Sequence, residues 1–147
     1  MAVTVATSMH RVQQQTEPEV NQRICRQTHA NIAYYAEHPE LIDRRLRELD
    51  REWDVERWLE LNSAALSLAG IALSILRGRK WLILPLAVQG FFLQHGLQGW
   101  CPPLPLLRRA GVRTQAEIEA ERHALKALRG DFGPQAQGEA ALLAAER

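Results

Sequence analysis

The sequence predicts an all-α fold: a membrane helical hairpin of two transmembrane helices, with amphipathic, charged helical extensions on both sides. Three observations predict it. Charged residues make up 24% of the chain and the net charge is +1, yet they avoid the middle. From Leu59 to Trp100 the only titratable side chains are Glu60, the cluster Arg77, Arg79 and Lys80, and His95. One apolar block with polar arms is a membrane distribution, whereas a small soluble core is assembled from several amphipathic pieces. The lengths also fit. As helix, residues 59–76 span about 27 Å and residues 81–100 about 30 Å, against a hydrocarbon core of about 30 Å. Finally, Trp58 opens the first run, Trp81 opens the second and Trp100 closes it, the headgroup levels that indoles prefer.

Residues 1–15 carry neither periodicity nor caps and are predicted to be disordered. They also lack the charged start, apolar run and cleavage site of a signal peptide. Residues 16–57 read as two charged amphipathic helices. Thr16-Glu-Pro-Glu19 has the form of a capping box with proline in the first turn. The helix it opens runs to about Ala36, with Val20, Ile24 and Ile32 among its apolar positions, until His38-Pro39 breaks it. The next helix starts at Pro39 and places Ile42, Leu46, Leu49 and Trp53 on one face, with Asp43 and Arg47 as a favourable i,i+4 pair. Its mixed charges predict a solvated helix with one buried stripe, with an interfacial helix as the alternative.

Residues 58–100 form the predicted hairpin, with a tight turn at Arg77–Lys80. Residues 101–130 are read as a proline-rich exit, extended because Cys101-Pro-Pro-Leu-Pro removes amide donors, and then a cytoplasmic helix. Thr114-Gln-Ala-Glu117 caps that helix, Ile118, Leu125 and Leu128 share one side, and Gly130 stops it. Residues 131–147 are read as a flexible tail. The arms carry Arg44, Arg45, Arg47, Arg51, Arg57, Arg108, Arg109 and Arg113 near the spans, which favours both termini in the cytoplasm.

Pairing Trp58 with Trp100 across the hairpin sets Glu60 opposite Gln98 and Ser63 opposite His95, with Asn62 between and Gln94 one turn away. Such a polar cluster near the headgroups either locks two helices by hydrogen bonding, the preferred reading, or forms a proton or substrate site. Ser67, Gly70 and Ser74 continue a small-residue stripe on the first span, and Gly90, Gly96 and Gly99 thin the second. Both suit close helix packing, within the hairpin or in a homodimer. Cys101 is the one candidate thiol nucleophile, and Arg108 and Arg109 would favour its thiolate if they folded back. His29, His38, His95 and Cys25 show no metal-ligand spacing, and no phosphate loop or hydrolase motif is present. No metal or cofactor is therefore expected. The near-neutral charge gives no reason to expect nucleic acid.

Two short spans closed by Gly99-Trp-Cys-Pro-Pro103, then Leu106, Leu107, Gly111 and Thr114, resemble the YgaP-like transmembrane domain family over roughly residues 60–115. Its best-understood members fuse such a hairpin to a cytoplasmic rhodanese, a sulfurtransferase domain. The resemblance implies a bacterial inner-membrane hairpin, dimerisation, and Cys101 as the motif cysteine. The rhodanese loop is missing, so sulfurtransferase activity is not implied. The expected function is a non-enzymatic inner-membrane module that packs as a homodimer or with a partner and docks cytoplasmic components. The alternatives are a membrane-surface thiol or sulfur relay through Cys101, and a small oligomeric transporter.

Overall fold

Asp54 sets where the apolar segment begins. Its carboxylate accepts from the Arg57 amide at 2.7 Å, an N-cap that satisfies one of the helix's orphan donors. The helix therefore starts four residues before Leu59, at Val55. In the computed structural model, which describes residues 9–132, the elements are α1 (Arg11–Gln14), α2 (Pro18–Glu37), a 3-10 turn (Pro39–Leu41) and α3 (Ile42–Leu49). They continue with α4 (Val55–Arg77), a second 3-10 turn (Arg79–Leu82), α5 (Ile83–Gln98), α6 (Leu104–Arg109) and α7 (Gln115–Arg129). No strand occurs among the described residues. The predicted tail from residue 133 onward, and residues 1–8 of the predicted disordered start, lie outside them.

The chain forms two units. The first comprises residues up to Arg23 together with Trp53–Gln115, and α4 and α5 dominate it. Gln89 Nε2 donates to Ser67 Oγ at 2.8 Å. A Cβ built on Gly70 would lie 2.4 Å from Pro85 Cδ. These contacts make the pair an antiparallel hairpin and correct the expected register, which put Ser67 opposite Phe91 and Gly70 opposite Val88. The cause is the link, in which Gly78 takes φ +109° and the chain tightens into the 3-10 turn.

α4 alone among the described helices is long and apolar enough to cross a membrane, and only 22% of its most apolar stretch is buried. Its 23 residues reach about 35 Å, while the 16 of α5 reach about 24 Å. A core helix would hide its leucines. Here Leu68, Ile75 and Leu76 are 68%, 79% and 77% exposed on α4, and Ile83, Leu86 and Leu93 are similarly bare on α5.

The arm end of this unit has its own core of Val12, Val55, Leu59, Cys101 and Leu104, against which Phe92, Trp100 and Leu107 pack. Val12 lies on α1, so part of the stretch predicted as disordered is a helical turn. Its apolar side chain is 2% exposed, and that burial offsets the entropy of ordering it. Thr16 does not close the expected capping box. Its hydroxyl donates to the Val12 carbonyl at 2.7 Å and accepts from Arg108 Nε at 3.2 Å. Arg108, 1% exposed, also donates to Asn21 Oδ1 at 2.9 Å and to the Val112 carbonyl at 3.0 Å. Arg109 pairs with Glu17 and holds that carboxyl below its usual range.

The proline-rich exit is not extended. Pro103 has helical dihedrals and α6 follows at once, because prolines in a helix's first turn give up only amides that have no partner there.

The second unit, Ile24–Glu52 with residues from Ala116 onward, packs Ile42, Leu46 and Leu49 of α3 against Ile118 and Leu125 of α7. Trp53 was expected on that face. However, α3 ends at Leu49, and Trp53 belongs to the first unit, 5.0 Å from the Trp58 ring with Arg57 over its face. Asp43 meets Arg129 at 2.5 Å rather than Arg47, and within α3 Glu48 pairs with both Arg44 and Arg45. Leu128 is 45% exposed and does not join the face. Gly130 does end α7, at φ +88°. Glu121 is fully buried and accepts from Arg45 Nε at 2.8 Å.

Candidate functional site

The polar side chains at the arm end of the hairpin meet differently from the expected pairing. With the register shifted, Glu60 comes level with His95 and Gly96 rather than with Gln98. These three residues line a cavity of about 110 Å³ with Arg11, Glu56 and Phe92. His95 is 3% exposed. Neither of its ring nitrogens has a hydrogen-bond partner among the described residues, and the same holds for Glu56 Oε2. The ring lies parallel to Phe92, centroids 6.4 Å apart. Arg11 approaches the other carboxylate oxygen of Glu56 at 3.8 Å.

Asn62, Ser63, Gln94 and Gln98 lie outside this cavity. Asn62 Nδ2 donates back to the Trp58 carbonyl at 2.8 Å, and Ser63 Oγ to the Glu60 carbonyl at 3.1 Å. Both bonds are local to α4. Gln94 and Gln98 are half-buried on α5. Sequence reasoning missed Arg11 and Glu56. Glu56 had a signal, being one helical turn before Glu60 on the same face. Arg11 had none, since it sits in a stretch without periodicity.

Cys101 is in the core, 3% exposed, and does not lie open at a surface. It lines a second cavity of about 290 Å³ whose other walls include Leu59, Leu66, Phe91, Phe92 and Pro102. Burial pushes its thiol up, with an opposing contribution from the Leu104 amide. The arginines expected to favour a thiolate are engaged elsewhere, Arg108 with Thr16 and Asn21 and Arg109 with Glu17. The exposed cysteine is Cys25. Contrary to the expected spacing, it does pair at a helical interval, with Sγ 3.8 Å from His29 Nε2. No third ligand joins them, and no group of three metal-ligating side chains forms among the described residues.

The small-residue stripe divides by role. Ser63, Ser67 and Gly70 are buried, and the Ser67 and Gly70 contacts with α5 place that face inside the hairpin. Ser74 turns back to the Ile71 carbonyl at 2.7 Å. Gly90 and Gly96 have open space where a Cβ would stand, so they pack nothing within the hairpin. Gly99 packs on Arg11 rather than between spans. Of the tryptophans, Trp58 and Trp81 are exposed and Trp100 leans on the arm-end core.

Among the described residues, fold and site define an all-helical arrangement with one helix, α4, long and apolar enough to cross a membrane, packed against a second helix, α5, that carries a buried histidine. Comparison with family models, curated proteins and solved structures gave no match.

Proposed function

We propose that the protein is a small, non-enzymatic bacterial inner-membrane module of the YgaP-like kind. In this reading α4 and α5, the latter extended by its 3-10 turn, both cross the bilayer. The arms stay cytoplasmic, where they dock a partner, and the hairpin associates with a second copy or with another membrane protein. The observation that carries this reading is the bare row of large apolar side chains on both hairpin helices, from Leu61 to Leu76 and from Leu82 to Leu97. Water would not tolerate so continuous a surface, and lipid or a packed neighbour would. The exposed Gly90 and Gly96 leave α5 thin on its outer side, which favours close approach of another helix. A thiol relay finds less support, because Cys101 is buried and its thiol is pushed up.

The test combines membrane fractionation under an alkaline wash with thiol labelling from each side. Cys25 is the reporter for the arms, and Arg79→Cys in a Cys25→Ser background is the reporter for the turn. Retention in the membrane, with Cys25 labelled from the cytoplasmic side and position 79 from the opposite side, supports two spans. Labelling of both from one side, or release by the wash, overturns it.

A further inference from the structure

His95 is the one titratable side chain on α5, and the fold buries it without giving it a partner among the described residues. A buried polar group left unsatisfied costs about 1–3 kcal/mol, and a native structure that keeps one needs a reason. Here Nδ1 and Nε2 of His95 and Oε2 of Glu56 share the problem, and their side chains line the same cavity. A neutral imidazole offers one donor and one acceptor, and a carboxylate oxygen offers acceptors only. The occupant must therefore donate and accept at once, and must be small enough for about 110 Å³.

The charges that face His95 are known from each element packed around it. Arg11 comes from α1, and Glu56 and Glu60 come from α4. Asp54 and Arg108 act by charge on Glu56 in turn. With the imidazole neutral, the lining carries two carboxylates against one guanidinium, so it has room for one more positive charge. A metal ion is disfavoured, since no three ligating side chains converge among the described residues. Glu60, an exposed carboxylate of the lining, links the buried end to the surface.

We propose that this cavity is a hydrated proton-binding site: water fills it from the Glu60 rim, bridges Glu56 Oε2 to His95, and carries protons to and from the imidazole. A cavity this size has room for several waters, each of which finds the two or more polar partners it needs. One proton moves from bulk water onto a ring nitrogen, and the resulting imidazolium donates through water to Glu56. His95 is the side chain of the set suited to changing charge near neutral pH. The site does not depend on the hairpin's crossing a membrane, and its test reads His95 alone.

The test is nuclear magnetic resonance of the full chain in detergent micelles with its five histidines labelled with ¹⁵N at the ring. Signals are assigned by single substitutions and followed between about pH 5 and 8, the range a histidine samples. Cross-peaks from the His95 ring to water, and a reversible change of its charge state, are expected. Glu56→Gln is expected to move the His95 midpoint by about one unit, leaving the exposed His29 and His123 where they were. Should that variant not fold, Glu60→Gln at the exposed rim makes the same comparison. A dry ring that keeps one tautomer throughout overturns the proposal, as does a midpoint that neither variant moves. A ring indifferent to pH but shifted by micromolar zinc also overturns it, in favour of a metal site.

Discussion

Gly99 and the Arg11 backbone lie in direct contact: a Cβ on Gly99 would stand 2.4 Å from the Arg11 carbonyl oxygen and 2.5 Å from its carbon. Gly99 also ends α5 in the left-handed region at φ +80°, with its amide bonded to the His95 carbonyl at 2.8 Å. One residue therefore closes the second apolar helix, turns the chain toward Cys101 and seats α1.

Gly99→Ala is accordingly expected to destabilise the first unit by about 2 kcal/mol or more, from a strained dihedral and a clash with backbone that cannot swing aside. Gly90→Ala, at a helical site with open space, should be neutral or slightly stabilising. Thermal melts of the two variants side by side check this. Equal melting temperatures would contradict it.

Gly70→Val should separate the hairpin helices. The added carbon would meet the Pro85 ring at 2.4 Å, and the strain should also break the Gln89–Ser67 bond. Thermal melts of Gly70→Val beside the parent chain check this, and equal melting temperatures would contradict it.

Arg108→Leu removes a buried guanidinium that binds Thr16, Asn21 and the Val112 carbonyl. The acceptors it leaves behind predict a loss of about 3 kcal/mol. Arg108→Lys should recover little of this, because an ammonium cannot reproduce the planar fork. Chemical denaturation of both variants is the check.

Cys101 should react slowly with maleimides near neutral pH while Cys25 reacts fast, a difference of at least about tenfold. The sign follows from burial: a raised folded value keeps the thiol neutral where an ordinary cysteine has begun to ionise. Stability tied to the neutral thiol is present below the ordinary cysteine range and is lost as pH rises through the raised value. Labelling across a pH series, read by mass, separates the two sites.

The helices were legible because they rest on local signals. Pro39, Gly78 and Gly130 punctuate the chain where their backbone limits say they should, and Ile42, Leu46 and Leu49 recur with helical spacing. What escaped rests on contacts distant in sequence. Arg11 and Glu56 are joined only by folding, and Arg108 is read as a surface charge until Thr16 and Asn21 surround it. The register error had one source: the length of a turn depends on dihedrals that a string of Arg-Gly-Arg-Lys does not display, and an offset of two to three residues moved His95 from the level of Ser63 to that of Glu60.

The turn Arg11–Gln14 has a practical consequence for anyone preparing the protein. Trimming the start of the chain as a dispensable tail would take away Val12, the weight on Gly99 and the Arg11 wall of the cavity. In a shortened protein the histidine would answer to a different solvent.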